Sequence, residues 1–235
     1  MSSAPAPLLQ QRLSVERLRS YLWVTAGDLD AAIALYEWNC AISAALFEVL
    51  GDVEVIVRNA LHDSLTSWHA RGTFAGEWYD NEHGLLATEA AFYVDAARAR
   101  LVKRRKPVSP GAMVAELNFG FWRYLLTKKY SSTLWPAAGR TAFPNMDHRR
   151  PQMLWARIGR LNDLRNRIAH HEPIHWRDIA LDLKDCLMVI RAVCPVSEAW
   201  SRDRSRVLQV LALRPGAVTP NTGRAPLSDP TDVAR

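Results

Sequence analysis

Apolar residues recur at three- and four-residue steps along most of the chain, the period of an amphipathic helix. From Asp28 to about Ala70 the pattern is unbroken, with Leu35, Trp38, Ile42, Leu46, Val49, Val53, Val57, Leu61 and Leu65 on one face. Gly51 is the one weak point, where the segment is expected to kink or divide. A helix from about Gln11 to Ala26 precedes it, ended by Gly27, with Asp28 placed to cap the next. Residues 72–84 hold glycines and polar residues and read as a loop. Helical patterns follow at about 85–105, 109–118, 119–130, 151–170 and 176–193, with a short piece at 197–213. Ser109-Pro110 has the form of an N-cap followed by proline at the first helical position. Strand alternation and internal repeats are not evident. The expected fold is all-α, an irregular helical bundle of about six helices. Residues 1–9 are expected to form a flexible tail, 10–213 a single domain and 214–235 a disordered tail rich in Pro, Gly, Thr and Asp.

Within the 151–170 helix, Leu154, Ile158, Leu161 and Ile168 lie within about 80° of one another on a helical wheel. Arg165 falls in the middle of that apolar stripe. A buried guanidinium without a partner is very costly. Arg165 must therefore meet an internal carboxylate, for which Glu54 is a candidate, or face a cleft or a subunit interface. His170 and His171 stand at the helix end, where imidazoles also serve simply to cover loose carbonyls.

The net charge of +6 conceals a strong segregation. Residues 1–95 carry 5 basic and 13 acidic side chains, residues 96–170 carry 16 and 3, and residues 171–235 carry 9 and 8. A basic block of this kind suits a polyanion such as nucleic acid, unless it folds back on the acidic first third. Its densest run includes Lys103, Arg104 and Arg105, which are candidates for substrate binding, or else a solvated helix face. Arg58 and His62 share a face of the long helix as a polar stripe, and Arg58 is a further candidate contact. Phe119, Phe121 and Trp122 could stack bases or pack as core, and core is the commoner use of such a run.

Other chemistries lack their signatures. There is no phosphate-binding Gly-rich loop, HExxH, Cys-x-x-Cys or Gly-x-Ser-x-Gly elbow. Three cysteines without metal-ligand spacing fit reduced thiols in a cytoplasmic protein. Neither a membrane span nor a secretory leader is expected.

The stretch RNRIAHHEPI, from Arg165 to Ile174, resembles the R-x4-6-H motif of HEPN domains in the form carried by Abi-like proteins, abortive-infection proteins of the AbiD/AbiF type. The segments Leu35–Leu65 and Asn118–Leu126 are similar to the N-terminal half and the FG-W segment of that family. The resemblance spans roughly residues 12–195. It implies a cytoplasmic α-helical homodimer that cleaves RNA without metal or other cofactor, in phage defence or a toxin-like role. An antitoxin or other regulatory protein is a further expected partner. His170 would move the proton at the ribose 2′-hydroxyl or the leaving oxygen, with His171 as the alternative imidazole. Arg165 would neutralise the phosphorane, Asn166 would orient His170 or the phosphate, and Arg167 would contact substrate. The alternative within the same resemblance is a non-catalytic RNA-binding or dimerisation module.

Overall fold

The structure is a computed structural model that describes residues 6–147 and 150–216. It is all-α: ten helices of six residues or more and no strand among the described residues, against the six helices expected. Among the described residues the chain divides into two compact units, one of residues 6–41 with 212–216 and one of residues 42–147 with 150–211.

The first unit begins with α1 (Ala6–Leu13) and α2 (Val15–Val24). The expected single helix is interrupted at Ser14, whose φ of 78° breaks the helix while its side chain accepts from the Arg17 N–H at 3.3 Å. That local cap starts a new helix. Residues 6–9, expected in the tail, belong to α1, and residues 1–5 of the tail lie outside the described residues. Gly27, at φ 87°, ends the turn after α2 as read from the sequence. Asp28 then accepts from the Ala31 N–H at 3.0 Å and opens α3 (Leu29–His69). Arg214, assigned to the C-terminal tail, lies over the ring of Trp38 at 5.1 Å, and residues 217–235 of that tail lie outside the described residues.

The second unit contains most of α3, which runs through Gly51 as one helix. Its buried face is Ile42, Ala45, Leu46, Val49, Val53, Val57, Leu61 and Leu65. Around it come α4 (Thr88–Lys103), α5 (Pro110–Glu116) and α6 (Phe119–Leu125). Ser109 and Asn118 cap α5 and α6 by accepting the N–H groups of Ala112 and Phe121 at 3.3 and 3.0 Å. A wide helical turn at Trp135–Gly139 leads into the short α7 (Arg140–Ala142). A side chain at Gly139 would collide with the ring of Trp135, which explains the glycine there. Next are α8 (Pro151–Ala169), α9 (Ile179–Val193), α10 (Pro195–Arg204) and α11 (Val207–Ala212).

Much of the basic block is spent inside this unit. Asp185, buried on α9, accepts from Arg157 at 3.0 Å and from Arg160 at 2.5 Å, tying α8 to α9. Arg98 pairs with Asp80 at 2.6 Å and Lys129 with Glu89 at 2.8 Å, so part of the block does fold back on the acidic first third. Asp52 of α3 accepts from Ser201 at 2.6 Å and pairs with Arg204, and Glu48 pairs with Arg206 at 2.9 Å.

The 72–84 loop is anchored by Trp78 and Tyr79, both buried in a short 3-10 turn. His83 packs edge-on against Trp68 at 4.5 Å and near His69 at 5.5 Å. Burial first, and the neighbouring His69 second, hold His83 below its ordinary 6.5, against an opposing pull from Glu82. A base whose folded pKa is depressed binds its proton more readily when unfolded. Its neutral form therefore supports the fold above pH 6.5, and that support is lost as pH falls through 6.5 toward the folded value. Urea midpoints should drop between about pH 7.5 and about pH 5, and His83→Gln should shrink that drop. An identical drop in the variant would assign the acid sensitivity to other groups.

Candidate functional site

Helix α8 presents the motif on two flanks. Arg165 and His170 are five residues apart, about 140° around a helix at 100° per residue. They therefore leave α8 in different directions within one copy of the chain.

Arg165 faces a groove between α3 and α8. Its side chain is 32% exposed, and its Nε stands 3.8 Å from the Glu54 carboxylate. Glu54, one of the alternatives left open by the sequence, is therefore near Arg165 as a loose ion pair. The Nε–H of Arg165 is buried without any hydrogen-bond acceptor, and Nη1 donates to the Asn166 side-chain oxygen at 3.4 Å. The groove measures about 220 Å³ and is lined by Phe47, Leu50, Gly51, Glu54, Val55, Arg58 and Arg165. Arg58 and Arg165 thus meet in one place, although 107 positions separate them in the chain. Arg58 donates from Nε to its neighbour Asn59 at 3.1 Å. His62, one turn further along α3, anchors the 72–84 loop instead, its Nδ1 accepting from the indole N–H of buried Trp78 at 3.0 Å.

The C-terminal end of α8 is a closed turn with a specific geometry. His170 N–H bonds to the Asn166 carbonyl at 2.9 Å, His171 N–H to Ile168 at 3.0 Å and Glu172 N–H to Arg167 at 2.8 Å. The last two bonds form a Schellman cap, whose left-handed position glycine usually fills. Here it is His171, at φ 57°. Both imidazoles are exposed on the turn. The Arg167 side chain pairs with Glu172 at 3.2 Å and lies over the exposed Trp176 ring at 5.9 Å. Asn166 is exposed one turn before His170.

The remaining sequence candidates lie elsewhere. Lys103, Arg104 and Arg105 are exposed where α4 ends, outside the groove. Arg104 and Arg100 both pair with Glu116 of α5, at 3.2 and 2.7 Å, and these contacts hold the Glu116 carboxyl below its ordinary range. Phe119, Phe121 and Trp122 are fully buried, which removes the base-stacking alternative. Trp23, Trp176 and Trp200, by contrast, are exposed. Among the described residues, no group of three or more His, Cys, Asp or Glu is placed to hold a metal ion, and no helix is long and apolar enough to cross a membrane.

Glu54, Arg58 and Arg165 are each legible in the sequence as candidates, but their meeting in one groove with Phe47, Leu50 and Val55 is not. The groove's signal was Gly51, which the helical pattern marked only as a weak point. Comparisons of the chain with protein-family models, with curated proteins and with solved structures returned no match.

Proposed function

We propose that this chain is a metal-independent endoribonuclease of the HEPN type that works in the cytoplasm as a homodimer. The reading rests on the resemblance of the Arg165–His170 stretch. The observation that carries it further is the Arg165 guanidinium, whose buried Nε–H lacks an acceptor at the edge of an open groove. A part-exposed guanidinium beside a cleft suits an anion such as a phosphodiester, because it offers planar, directed donors.

In this mechanism the ribose 2′-oxygen attacks phosphorus and the bond to the 5′-oxygen breaks. The attacking hydroxyl gives its proton to an imidazole, the imidazolium so formed passes a proton to the leaving 5′-oxygen, and the product ends in a 2′,3′-cyclic phosphate. His170 performs the proton transfer, with His171 as the competing assignment. Arg165 binds the charge that develops on the phosphorane oxygens. Asn166, hydrogen-bonded to Arg165, steadies that guanidinium. The angular separation of Arg165 and His170 suits a site composed from two copies, each supplying one of the pair. Lys103, Arg105 and Arg167 extend the basic surface for RNA.

Purified protein incubated with labelled single-stranded RNA in chelator should give fragments ending in 2′,3′-cyclic phosphate. Arg165→Ala should lower cleavage at least about a hundredfold, the scale of losing one preorganised charge-stabilising donor. The same fragments at the same rate from Arg165→Ala would overturn the reading.

A second reading has its own observation. Glu54 and Asn166 already engage Arg165, which suits a chain that binds RNA or a partner such as an antitoxin without cutting. Salt-dependent RNA binding with no cleavage would favour it.

A further inference from the structure

The groove beside Arg165 has features that an R-x4-6-H motif does not itself require. Along α3, Phe47, Gly51 and Val55 stand at four-residue steps and so form one ridge. Phe47 and Val55 are 46% and 43% exposed. Between them, a Cβ on Gly51 would stand in open space. Glycine inside a helix costs about 1 kcal/mol relative to alanine, so helix stability does not account for it. What glycine leaves is a notch between two apolar side chains.

The rim of the notch is charged. Arg58 lies two helical turns beyond Gly51, and Arg165 enters from α8. Against them stands Glu54, so the groove carries two guanidinium groups and one carboxylate. Its volume of about 220 Å³ is below the roughly 300–1,000 Å³ of self-contained small-molecule pockets. It has the capacity for one segment of a longer ligand.

We infer, on the endoribonuclease reading above, that this groove is a subsite for one nucleotide of single-stranded RNA. A backbone phosphate lies between the guanidinium groups of Arg58 and Arg165, the two cations that line the groove. The attached base lies over Phe47 and Val55, in the notch left by Gly51. An acidic peptide could match the two guanidinium groups, but it has no flat ring to cover Phe47. Base stacking on an aromatic side chain does so and is tolerant of sequence. Arg58 then acts as a substrate-binding residue. Gly51 acts as the residue that keeps the floor open.

The test is fluorescence anisotropy of a short labelled single-stranded RNA at several salt concentrations, with hexaglutamate as the competing peptide. Gly51→Leu fills the notch while replacing a helix-interior glycine, so circular dichroism should show an intact helical fold. It should weaken RNA binding about tenfold, the scale of losing one stacked base. Arg58→Ala should weaken it similarly and lower the slope of log affinity against log salt by about one phosphate contact. Phe47→Ala should weaken binding, and Phe47→Tyr should restore it. Folded Gly51→Leu and Arg58→Ala that bind RNA as the parent does would overturn the subsite, while His170-dependent cleavage in the same samples would leave the endoribonuclease reading standing. If the parent binds without cleaving, the same affinity ratios still decide the subsite. A parent that neither binds nor cleaves RNA overturns both, and Gly51-sensitive binding of hexaglutamate without RNA binding overturns the subsite in favour of a peptide.

Discussion

His170→Gln should reduce cleavage of single-stranded RNA by about a hundredfold to ten-thousandfold, the usual worth of a positioned general acid or base. Glutamine keeps a polar side chain on the turn but cannot exchange a proton near neutrality. The backbone bond from residue 170 to the Asn166 carbonyl does not depend on the side chain, so the cap should remain. The neighbouring position gives the contrast. His171 occupies the left-handed site of the Schellman turn at φ 57°, a conformation that costs a residue with a Cβ on the order of 1 kcal/mol. His171→Gly should therefore raise the thermal midpoint and leave cleavage intact. Single-turnover rates and thermal melts on the two variants separate the two imidazoles. If His171→Gly abolishes cleavage and His170→Gln does not, the proton-transfer role moves by one residue and the strained backbone is what aims it.

The second large effect is on stability. Trp122→Ala should cost about 3–5 kcal/mol in urea denaturation, the range for deleting a large aromatic from a core. Trp122 is fully buried, donates its indole N–H to the Leu117 carbonyl at 3.1 Å, and packs edge-on against Phe121 at 5.1 Å. Trp78 lies 6.0 Å away, so the cavity would open beneath the 72–84 loop as well. The Leu117 carbonyl would also lose its indole donor, adding to the cost. A loss below about 1 kcal/mol, accompanied by weaker RNA binding, would return this residue to the role of a base platform.

How far the residues announced this can be judged from particular places. Period alone located α3, α8 and α9, because each buries a face over many turns. It mistook Ser14 for helix interior, since a cap in the middle of an apolar pattern leaves the spacing intact. The eight helical patterns become ten helices partly for the same reason, since α10 and α11 are separated only by Ser205 and Arg206. At the site, a guanidinium on an apolar stripe calls for a carboxylate, and Glu54 of α3 stands 3.8 Å from it. The meeting of Arg58 with Arg165 was not legible, because it depends on the register in which α3 lies against α8. The charge count overstated the free basic surface, since Asp80, Glu89, Glu116 and Asp185 each neutralise part of it.

Helix α3 has 41 residues, and the boundary between the two compact units falls inside it, at Ala41 and Ile42. A rod of that length, about 60 Å, is held by different neighbours along its two parts. Separate neighbours allow the backbone bonds of the two parts to open independently. Release of the first unit would shorten the rod from its N-terminal end and leave the stretch that carries Phe47, Gly51, Glu54 and Arg58 still braced by the second.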